Sequence, residues 1–265
     1  MKGEFLLINH VKEKLKKGEK VLGSFISFYS PNLIEMIGYA GFDFVIIDEE
    51  HGAFSHSELE NMIRTAEGVG VVPIVRVSYD QSSIQKALDR GAMGIQIPMV
   101  NSQADALEVV KKAKFSPLGK RGVAYSHRAA RYGKDAGESF LNDSDQNIIV
   151  LAHIETMEAV RNLNEIANVE GIDGIFIGTT DLSVDMGYKK EGAQHPEVQK
   201  VLSLLYRKAL ETDMIIGTVA SDVNGIQESY KKGAHYVGVV GNSIIMSALE
   251  SVVKDNRATK QAIHP

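Results

Sequence analysis

The chain has 265 residues, of which 44% are hydrophobic and 24% charged, and it carries a net charge of −5 and no cysteine. This length fits one large α/β barrel or two ordinary domains, and the apolar fraction is enough for a sizeable core. The lack of cysteine excludes disulfides, thiolate metal sites and a cysteine nucleophile, and the acidic balance without a long basic run argues against a nucleic-acid partner.

From the sequence we expect neither a secretion signal nor a membrane segment. The N-terminal apolar run, residues 5–8, is too short for the core of a signal peptide. No stretch of the chain approaches the length of about 18 apolar residues that a membrane span needs. We therefore expect a cytoplasmic enzyme or binding protein without a membrane partner.

Eight short apolar runs alternate with longer amphipathic segments along the chain. Helical stretches lie between most of the runs, for example residues 55–68 and 102–115. This alternation is typical of βαβ units and of a parallel sheet that is buried on both faces. The predicted strands are residues 21–28, 42–50, 71–77, 93–100, 147–155, 172–178, 214–221 and 235–242.

Eight such units in about 250 residues predict a single α/β domain over residues 1–265, a (β/α)8 TIM barrel with a parallel eight-stranded sheet. A doubly wound open sheet is the alternative, but no G-x-G-x-x-G motif follows the first strand and the strand count matches closure. Two segments fall outside the alternation. We expect residues 116–145 to form an irregular loop after strand four, and residues from about 254 to 265 to form a polar surface tail.

Charged residues stand where the predicted strands end. In a barrel, catalytic groups come from the C-terminal ends of the strands and from the loops that follow. Strand two ends in the run Asp48–His51, strand three carries Arg76, strand five ends in Glu155, and strand six is followed by Asp181. We expect these side chains to meet at the C-terminal opening of the barrel, called the mouth below.

Side-chain alternation along each strand refines this expectation. If Glu155 points into the barrel, so does His153, and if Asp48 points inward, so does Glu50. Glu49 then faces away. We expect Asp48, Glu50 and His153 to support the groups that bind ligands, with Glu50 close to metal-bound water and His153 as an inward filler or hydrogen-bonding group.

Glu155 and Asp181 follow neighbouring strands, which predicts a metal site. Two carboxylates at one mouth repel each other unless a proton or a cation intervenes. Mg²⁺ typically takes one or two protein carboxylates and completes its coordination with water and substrate oxygens. Without soft ligands the site favours Mg²⁺ or Mn²⁺, with Co²⁺ as a further option. No predicted strand contains lysine, so a Schiff-base mechanism is not expected.

Four motifs give the chain a family resemblance. They are FDFVIIDEEHG, LDRGAMGIQIPMVNS, SPLGKRGVAYSHRAARYG and HIETMEAVRNLNEIANVEGIDGIFIGTTDLSVDMGY. From about residue 15 to about residue 250 the chain resembles the HpcH/HpaI family of metal-dependent pyruvate aldolases. The resemblance implies a homo-oligomer, a hexamer or a trimer of barrels, in which residues 116–133 pack near a neighbour's site.

The resemblance also implies ligand-binding roles for individual residues. Glu155 and Asp181 match the family's metal-binding carboxylates. Arg76 matches the arginine beside the keto oxygen of the substrate. The backbone around Gly178 and Thr179 would hold the substrate carboxylate.

His51 matches the catalytic histidine of the family, and Asp89 matches the aspartate paired with it. The reaction so implied is cleavage of a 4-hydroxy-2-oxo acid into pyruvate and an aldehyde, as in the breakdown of aromatic compounds or sugar acids. The divalent metal and Arg76 would stabilise the enolate, and His51 would remove the proton of the 4-hydroxyl group.

The chain departs from the family pattern at three places. The family usually has D-G-E-H where residues 48–51 stand, glutamine where His153 stands, and G-P-A-D-L where residues 178–182 stand. These changes bear on substrate choice more than on reaction class. Two alternatives stay open: a CoA-ester lyase, which would need basic groups for the nucleotide phosphates, and a catalytically silent barrel that binds 2-oxo acids.

Overall fold

The computed structural model describes residues 8–80 and 82–263, and eight parallel strands close into a barrel within them. The strands follow one another around the barrel in chain order, and the last pairs with the first. The predicted (β/α)8 barrel is therefore confirmed, and the doubly wound alternative is wrong. The strands are β1 (Val21–Ile26), β2 (Phe44–Asp48), β3 (Val72–Arg76), β4 (Gly94–Ile97), β5 (Ile149–Ile154), β6 (Gly174–Ile177), β7 (Ile215–Ala220) and β8 (Tyr236–Val240).

Helices follow the strands and form the outer layer. Their starts carry ordinary capping residues, for example Ser55, whose side chain and that of Glu58 form a capping box at the third helix. None of the described helices is long and apolar enough to cross a membrane. The helices are α1 (His10–Lys16), α2 (Pro31–Tyr39), α3 (His56–Gly68), α4 (Ser83–Asp89), α5 (Gln103–Ala113), α6 (Glu138–Asn147), α7 (Met157–Arg161), α8 (Leu163–Ala167), α9 (Thr179–Asp185), α10 (Pro196–Ala209), α11 (Val223–Lys231) and α12 (Gly241–Ile263).

The pleat divides the strand residues between two cores. In β2, Phe44 and Ile46 belong to the cluster inside the barrel, whereas Val45 and Ile47 belong to the cluster between the sheet and the helices. The same alternation in β5 places His153 inside the barrel, against Phe176 of β6. The inward and outward faces therefore follow the predicted alternation.

Aromatic rings fill the interior because small residues make room for them. Phe44 stacks on Tyr236, with ring centroids 4.0 Å apart. A Cβ at Gly23 of β1 would lie 2.0 Å from the Phe44 ring. Since real Cβ atoms never approach so closely, this ring requires glycine beside it.

Helix α1 is held across the N-terminal end of the barrel. The Asn9 side-chain amide donates to the carbonyls of Met93 and Asn147 at 2.8 and 2.9 Å. The Lys12 ammonium lies 2.7 Å from a carboxylate oxygen of Asp173. These contacts anchor α1 across the N-terminal end of the barrel. The active site is therefore expected at the opposite, C-terminal end, which is the mouth.

Two segments differ from the sequence-based expectation. Within residues 116–145 the structure has a 3₁₀ segment, Arg128–Gly133, and most of α6. Helix α6 was missed because it buries few residues, among them Phe140, which packs with Phe115 and Ala130. The segment expected to be a polar tail continues α12 as far as Ile263.

Candidate active site

Asp48 and Arg76 form a two-point salt bridge at the mouth. They are register partners at the ends of β2 and β3. Arg76 Nε and Nη2 donate to the two carboxylate oxygens of Asp48 at 2.8 and 2.6 Å, which is the strong bidentate geometry. Burial acts to lower the pKa of Arg76, but the hydrogen bonds and charge of Asp48, with Glu50 and Glu155, raise it overall. A permanent cation is thus fixed at the mouth.

Glu50 contacts the same guanidinium from another side. Its Oε2 lies 3.2 Å from Arg76 Nη1. Its Oε1 accepts a hydrogen bond from the Tyr79 hydroxyl at 2.9 Å. His51 Nε2 lies 3.9 Å from that same oxygen, and the His51 side chain is 65% exposed. Glu50 therefore joins the arginine, the tyrosine and the histidine in one polar group.

Glu49 faces away from the mouth, as the alternation along β2 predicts. Its Oε2 accepts a hydrogen bond from the Ser83 hydroxyl at 2.5 Å, and its Oε1 lies 3.3 Å from His56 Nδ1. These contacts tie the end of β2 to the starts of α3 and α4. Glu49 and Glu50, adjacent in the sequence, therefore make their contacts on opposite sides of the sheet.

Glu155 is a buried carboxylate with fixed orientation. Its Oε1 accepts the backbone N–H of Met99 at 2.6 Å, and its Oε2 lies 3.3 Å from His153 Nδ1. Met99 has a φ of 55°, which is unusual for a residue other than glycine. Burial acts to raise the pKa of Glu155, but His153, the Met99 N–H and Arg76 together lower it. Glu155 is therefore ionised at neutral pH.

A chain of buried side chains supports Glu155 from inside the barrel. His153 Nε2 lies 3.1 Å from Gln96 Oε1, and Gln96 Nε2 donates to the Tyr236 hydroxyl at 3.0 Å. The His153 ring stacks on Phe176 at 4.7 Å between centroids. His153 thus lies inside the barrel as a supporting group, and buried polar groups satisfied in this way fix one arrangement.

Asp181 lies in the first turn of α9, which starts directly after β6. Its side chain is exposed, in contrast to that of Glu155. Gly178 stands between β6 and α9, and a Cβ at this position would lie 2.8 Å from Glu155 Oε2. Only glycine therefore lets the chain pass so close to this carboxylate. The N–H of Gly178 donates to the Ile154 carbonyl, so the next N–H, of Thr179, is the nearer candidate for a ligand.

One cavity of about 290 Å³ at the mouth collects nearly all the predicted site residues. Its wall carries three carboxylates and a single guanidinium, an excess of negative charge. It includes His51, Arg76, Glu155, Gly178, Thr179 and Asp181, with Asp48 and His153 beside them.

This charge distribution fits a hard divalent cation. Since Asp48 is committed to Arg76, the carboxylates left to bind a metal are those of Glu155 and Asp181. Among the described residues, no group of three histidine, aspartate or glutamate side chains is arranged to hold a metal ion. The protein would thus provide two carboxylates, and water and substrate the other ligands, as Mg²⁺ commonly allows.

Asp89 does not lie beside His51 in the same chain. It is the last residue of α4, just before β4, whereas His51 follows the opposite end of β2. Its carboxylate accepts a hydrogen bond from Arg121 Nη2 at 2.7 Å and lies 3.5 Å from His127 Nε2. The expected orientation of His51 by Asp89 is therefore not formed within one chain.

A larger cavity, of about 750 Å³, lies near the N-terminal ends of β3 and β4. Its four arginines all pair with acidic side chains: Arg128 with Glu67, Arg121 with Asp89, Arg64 with Glu60 and Arg131 with Asp135. The other described residues of its lining are mainly apolar and include no free pair of carboxylates. The chemistry therefore belongs to the smaller cavity at the mouth.

Three residues of the site were missed in the sequence. Gln96 carried a usable signal, since it is a polar residue inside an otherwise apolar predicted strand. Tyr79 and Met99 carried none, because their contacts with Glu50 and Glu155 join separate loops to the strand ends.

Comparisons with known proteins show which family the sequence and the fold match. The profile of the family described as HpcH/HpaI aldolase/citrate lyase matches residues 22–247. A 2-keto-3-deoxy-L-rhamnonate aldolase of Escherichia coli is 34% identical over 244 residues, 91% of this chain and 90% of the relative. An HpcH/HpaI family protein from Burkholderia cenocepacia has a TM-score of 0.89 at 25% identity and covers 94% of this chain and 100% of its own. The citrate synthase SbnG has a TM-score of 0.84 at 28% identity, with 94% and 98% covered.

Proposed function

Because the chain belongs to the HpcH/HpaI aldolase/citrate lyase family and a relative 34% identical to it is named an aldolase, we propose that it cleaves a 4-hydroxy-2-oxo acid into pyruvate and an aldehyde. The observation that carries the proposal is the cavity that unites Arg76, Glu155 and Asp181 at the mouth. It provides a fixed cation for developing negative charge and two carboxylates for a metal.

Glu155 and Asp181 would hold the divalent ion, Mg²⁺ or Mn²⁺. When bound, such an ion acts as a Lewis acid toward the 2-oxo group of the substrate. Glu155 is ionised and oriented by Met99 and His153 before any ligand arrives. The exposed Asp181 can adjust to the ligand, which suits an ion that keeps water and substrate in its shell.

Arg76 would stabilise the enolate. As the bond between C3 and C4 breaks, its electron pair moves into the C2–C3 bond and negative charge gathers on the C2 oxygen. Asp48 accepts hydrogen bonds from Nε and from one N–H of Nη2 of Arg76. Each terminal nitrogen therefore still has an N–H group that can donate to the C2 oxygen. Fixed donors of this kind lower the barrier because they need no reorientation during the reaction.

His51 would accept the proton of the 4-hydroxyl group, which becomes the carbonyl of the aldehyde. Its ring lines the cavity and is exposed enough to exchange protons with water. General-base help of this kind is worth roughly 10²- to 10⁴-fold. The enolate then takes a proton at C3 and leaves as pyruvate.

A pairing of His51 with Asp89 would need two copies of the chain, because the two residues lie at opposite ends of one barrel. This agrees with the homo-oligomer implied by the family resemblance. Co-expression of His51→Ala and Asp89→Asn chains tests the pairing. Mixed oligomers should recover activity that neither variant has alone, and no recovery would rule out a shared site.

The runner-up is a reaction of a CoA ester, one of the two alternatives that the sequence leaves open. A nucleotide needs basic groups around its phosphates, and Arg76, already paired with Asp48 and Glu50, is the one arginine or lysine among the described residues that line the mouth cavity. The charge at the mouth therefore favours a free 2-oxo acid.

The test measures exchange of the pyruvate methyl protons in deuterated water with Mg²⁺ or Mn²⁺, followed by a screen of aldehyde acceptors. Since the E. coli relative is named for a 2-keto-3-deoxy sugar acid, hydroxyaldehydes are the first acceptors to try. We expect exchange that a chelator abolishes. Absence of exchange with every divalent ion, or equal exchange after chelation, contradicts the proposal.

A further inference from the structure

Tyr79 links an exposed loop to a buried carboxylate at the mouth. It lies between β3 and α4, and the residue is 68% exposed. Its hydroxyl nevertheless donates to Glu50 Oε1 at 2.9 Å, and the Glu50 side chain is only 7% exposed. An exposed phenol gains little by packing, so this hydrogen bond is its main fixed contact with the site.

Glu50 uses its two oxygens for different partners. Oε1 faces the Tyr79 hydroxyl, and Oε2 lies 3.2 Å from Arg76 Nη1. Among the described residues, Oε1 accepts no hydrogen bond besides that of the Tyr79 hydroxyl, and His51 Nε2, at 3.9 Å, lies beyond normal hydrogen-bond range. The rotation of the Glu50 carboxylate, and thereby its contact with the guanidinium, depends on Tyr79.

We propose that Tyr79 is a positioning residue that acts through Glu50 to fix the guanidinium of Arg76 where it meets the keto oxygen of the substrate. The role rests on the proposed function, because it concerns the orientation of the group assigned to the enolate oxygen. Asp48 holds one edge of the guanidinium, and Glu50 fixes its remaining freedom of rotation.

The Tyr79 hydroxyl suits this role because it stays protonated. Burial, the hydrogen bond to Glu50 and the negative charges of Glu50, Glu155 and Asp181 raise the pKa of Tyr79 to about 12. It therefore remains a hydrogen-bond donor throughout the physiological range. Small errors in the placement of a catalytic group are costly: about 1 Å can reduce the rate a hundredfold.

Kinetic measurements test the role through the pyruvate exchange reaction with Mg²⁺. Tyr79→Phe removes only the hydroxyl, and we expect kcat to fall about tenfold while KM for pyruvate changes less than about twofold. Tyr39→Phe is the matched control, since Tyr39 is an exposed residue at the end of α2. An unchanged kcat in Tyr79→Phe overturns the proposal.

A double-mutant cycle with Glu50→Gln separates action through Glu50 from direct contact with substrate. If Tyr79 works through Glu50, Tyr79→Phe should change kcat less than about twofold in the Glu50→Gln background, because coupled residues are not additive. Losses that multiply in the double variant would mean that Tyr79 acts on the substrate itself, which overturns the proposal.

A crystal structure of Tyr79→Phe gives a measurement that needs no activity. We expect Glu50 Oε2 to move beyond about 4 Å from Arg76 Nη1, outside ion-pair range. An unchanged Glu50 and Arg76 would refute the role of Tyr79. If the unaltered protein showed no exchange, the proposed function would fail, while the position of Glu50 would still decide whether Tyr79 orients Arg76.

Discussion

Asp48 and Arg76 stand at paired positions on neighbouring strands, and their side chains meet through two hydrogen bonds of 2.8 and 2.6 Å. The pairing has two effects. It gives the mouth a cation, one edge of which is held by the neighbouring strand. It also engages the carboxylate at the end of β2, which distinguishes it from Glu155 and Asp181, the proposed metal ligands across the mouth.

Arg76→Lys should keep the charge and lose the two-point contact. Lysine provides a single point of charge where arginine provides a planar fork. We expect kcat for pyruvate exchange to fall about 10²-fold, with Mn²⁺ affinity changed by less than about threefold. Isothermal titration with Mn²⁺ and single-turnover kinetics measure both. A loss of metal affinity as large as the loss of kcat would place Arg76 in the metal site.

Glu155→Gln should remove divalent metal binding while the barrel stays folded. The amide keeps a partner for the Met99 N–H but cannot supply the negative charge. We expect Mn²⁺ affinity to fall about a hundredfold or more, because even the loss of an indirect partner costs ten- to a hundredfold. Glu158→Gln, on the exposed side of α7, is the control. Equal Mn²⁺ affinity in both variants would remove Glu155 from the metal site.

His153→Leu and His153→Gln should differ in stability. Leucine leaves Gln96 Oε1 and Glu155 Oε2 without their partner, which costs about 1–3 kcal/mol for each buried group. Glutamine can bond to both, so its cost should stay below about 1.5 kcal/mol. Urea unfolding without metal compares them. Equal destabilisation by the two substitutions would mean that histidine is required here for its stacking on Phe176 and not for its contacts with Gln96 and Glu155.

Gly178→Ala should weaken metal binding by displacing Glu155. The added Cβ would lie 2.8 Å from the Glu155 Cβ and from its Oε2, so this side chain has to shift. We expect Mn²⁺ affinity to fall about tenfold. Gly68→Ala, where a Cβ meets no atom within 4 Å, should raise stability by about 0.5–1 kcal/mol. Unaltered Mn²⁺ affinity in Gly178→Ala would show that the β6–α9 turn tolerates a side chain.

Lys114 should make stability rise with pH. It is 3% exposed, and burial, with some repulsion from Lys12 and Arg121, lowers its pKa from 10.5 to about 8. Between these values the unfolded chain holds a proton that the folded chain has lost, so folding becomes more favourable as pH rises from about 8 toward 10.5. The gain cannot exceed about 1.4 kcal/mol per pH unit.

The Lys114→Met variant isolates this effect. Urea unfolding at pH 7.5 and pH 9.5 should show the unaltered protein gaining stability relative to the variant at the higher pH. Raised tyrosine pKa values act in the opposite direction, but both proteins share them. A difference between the two proteins that stays constant with pH would mean that Lys114 titrates normally.

Apolar periodicity was sufficient to predict the barrel and much of its mouth. Strands buried on both faces read as continuous apolar runs, and alternation then assigned Glu155, His153 and Asp48 to the inside. The strands are shorter than predicted, since the apolar runs extend into the turns. Helix α6 escaped because a helix that buries little leaves no stripe.

The relation of His51 to Asp89 was beyond sequence reasoning. Motif matching pairs residues by role and carries no information on which copy of the chain supplies each one. Asp89 ends a helix that returns to the base of the barrel, so the connectivity separates it from the strand ends within one subunit. The left-handed conformation of Met99 was likewise invisible, because no glycine marked it.

The opposite orientations of Glu49 and Glu50 limit how the gene could have changed here. Adding or losing one residue after Ile47 would reverse the faces on which the two side chains lie. The carboxylate that contacts α3 and α4 would then point to the mouth, and the one that contacts Arg76 would point away from it. A change of length between β2 and His51 should therefore disturb the contacts on both sides of the barrel wall at once.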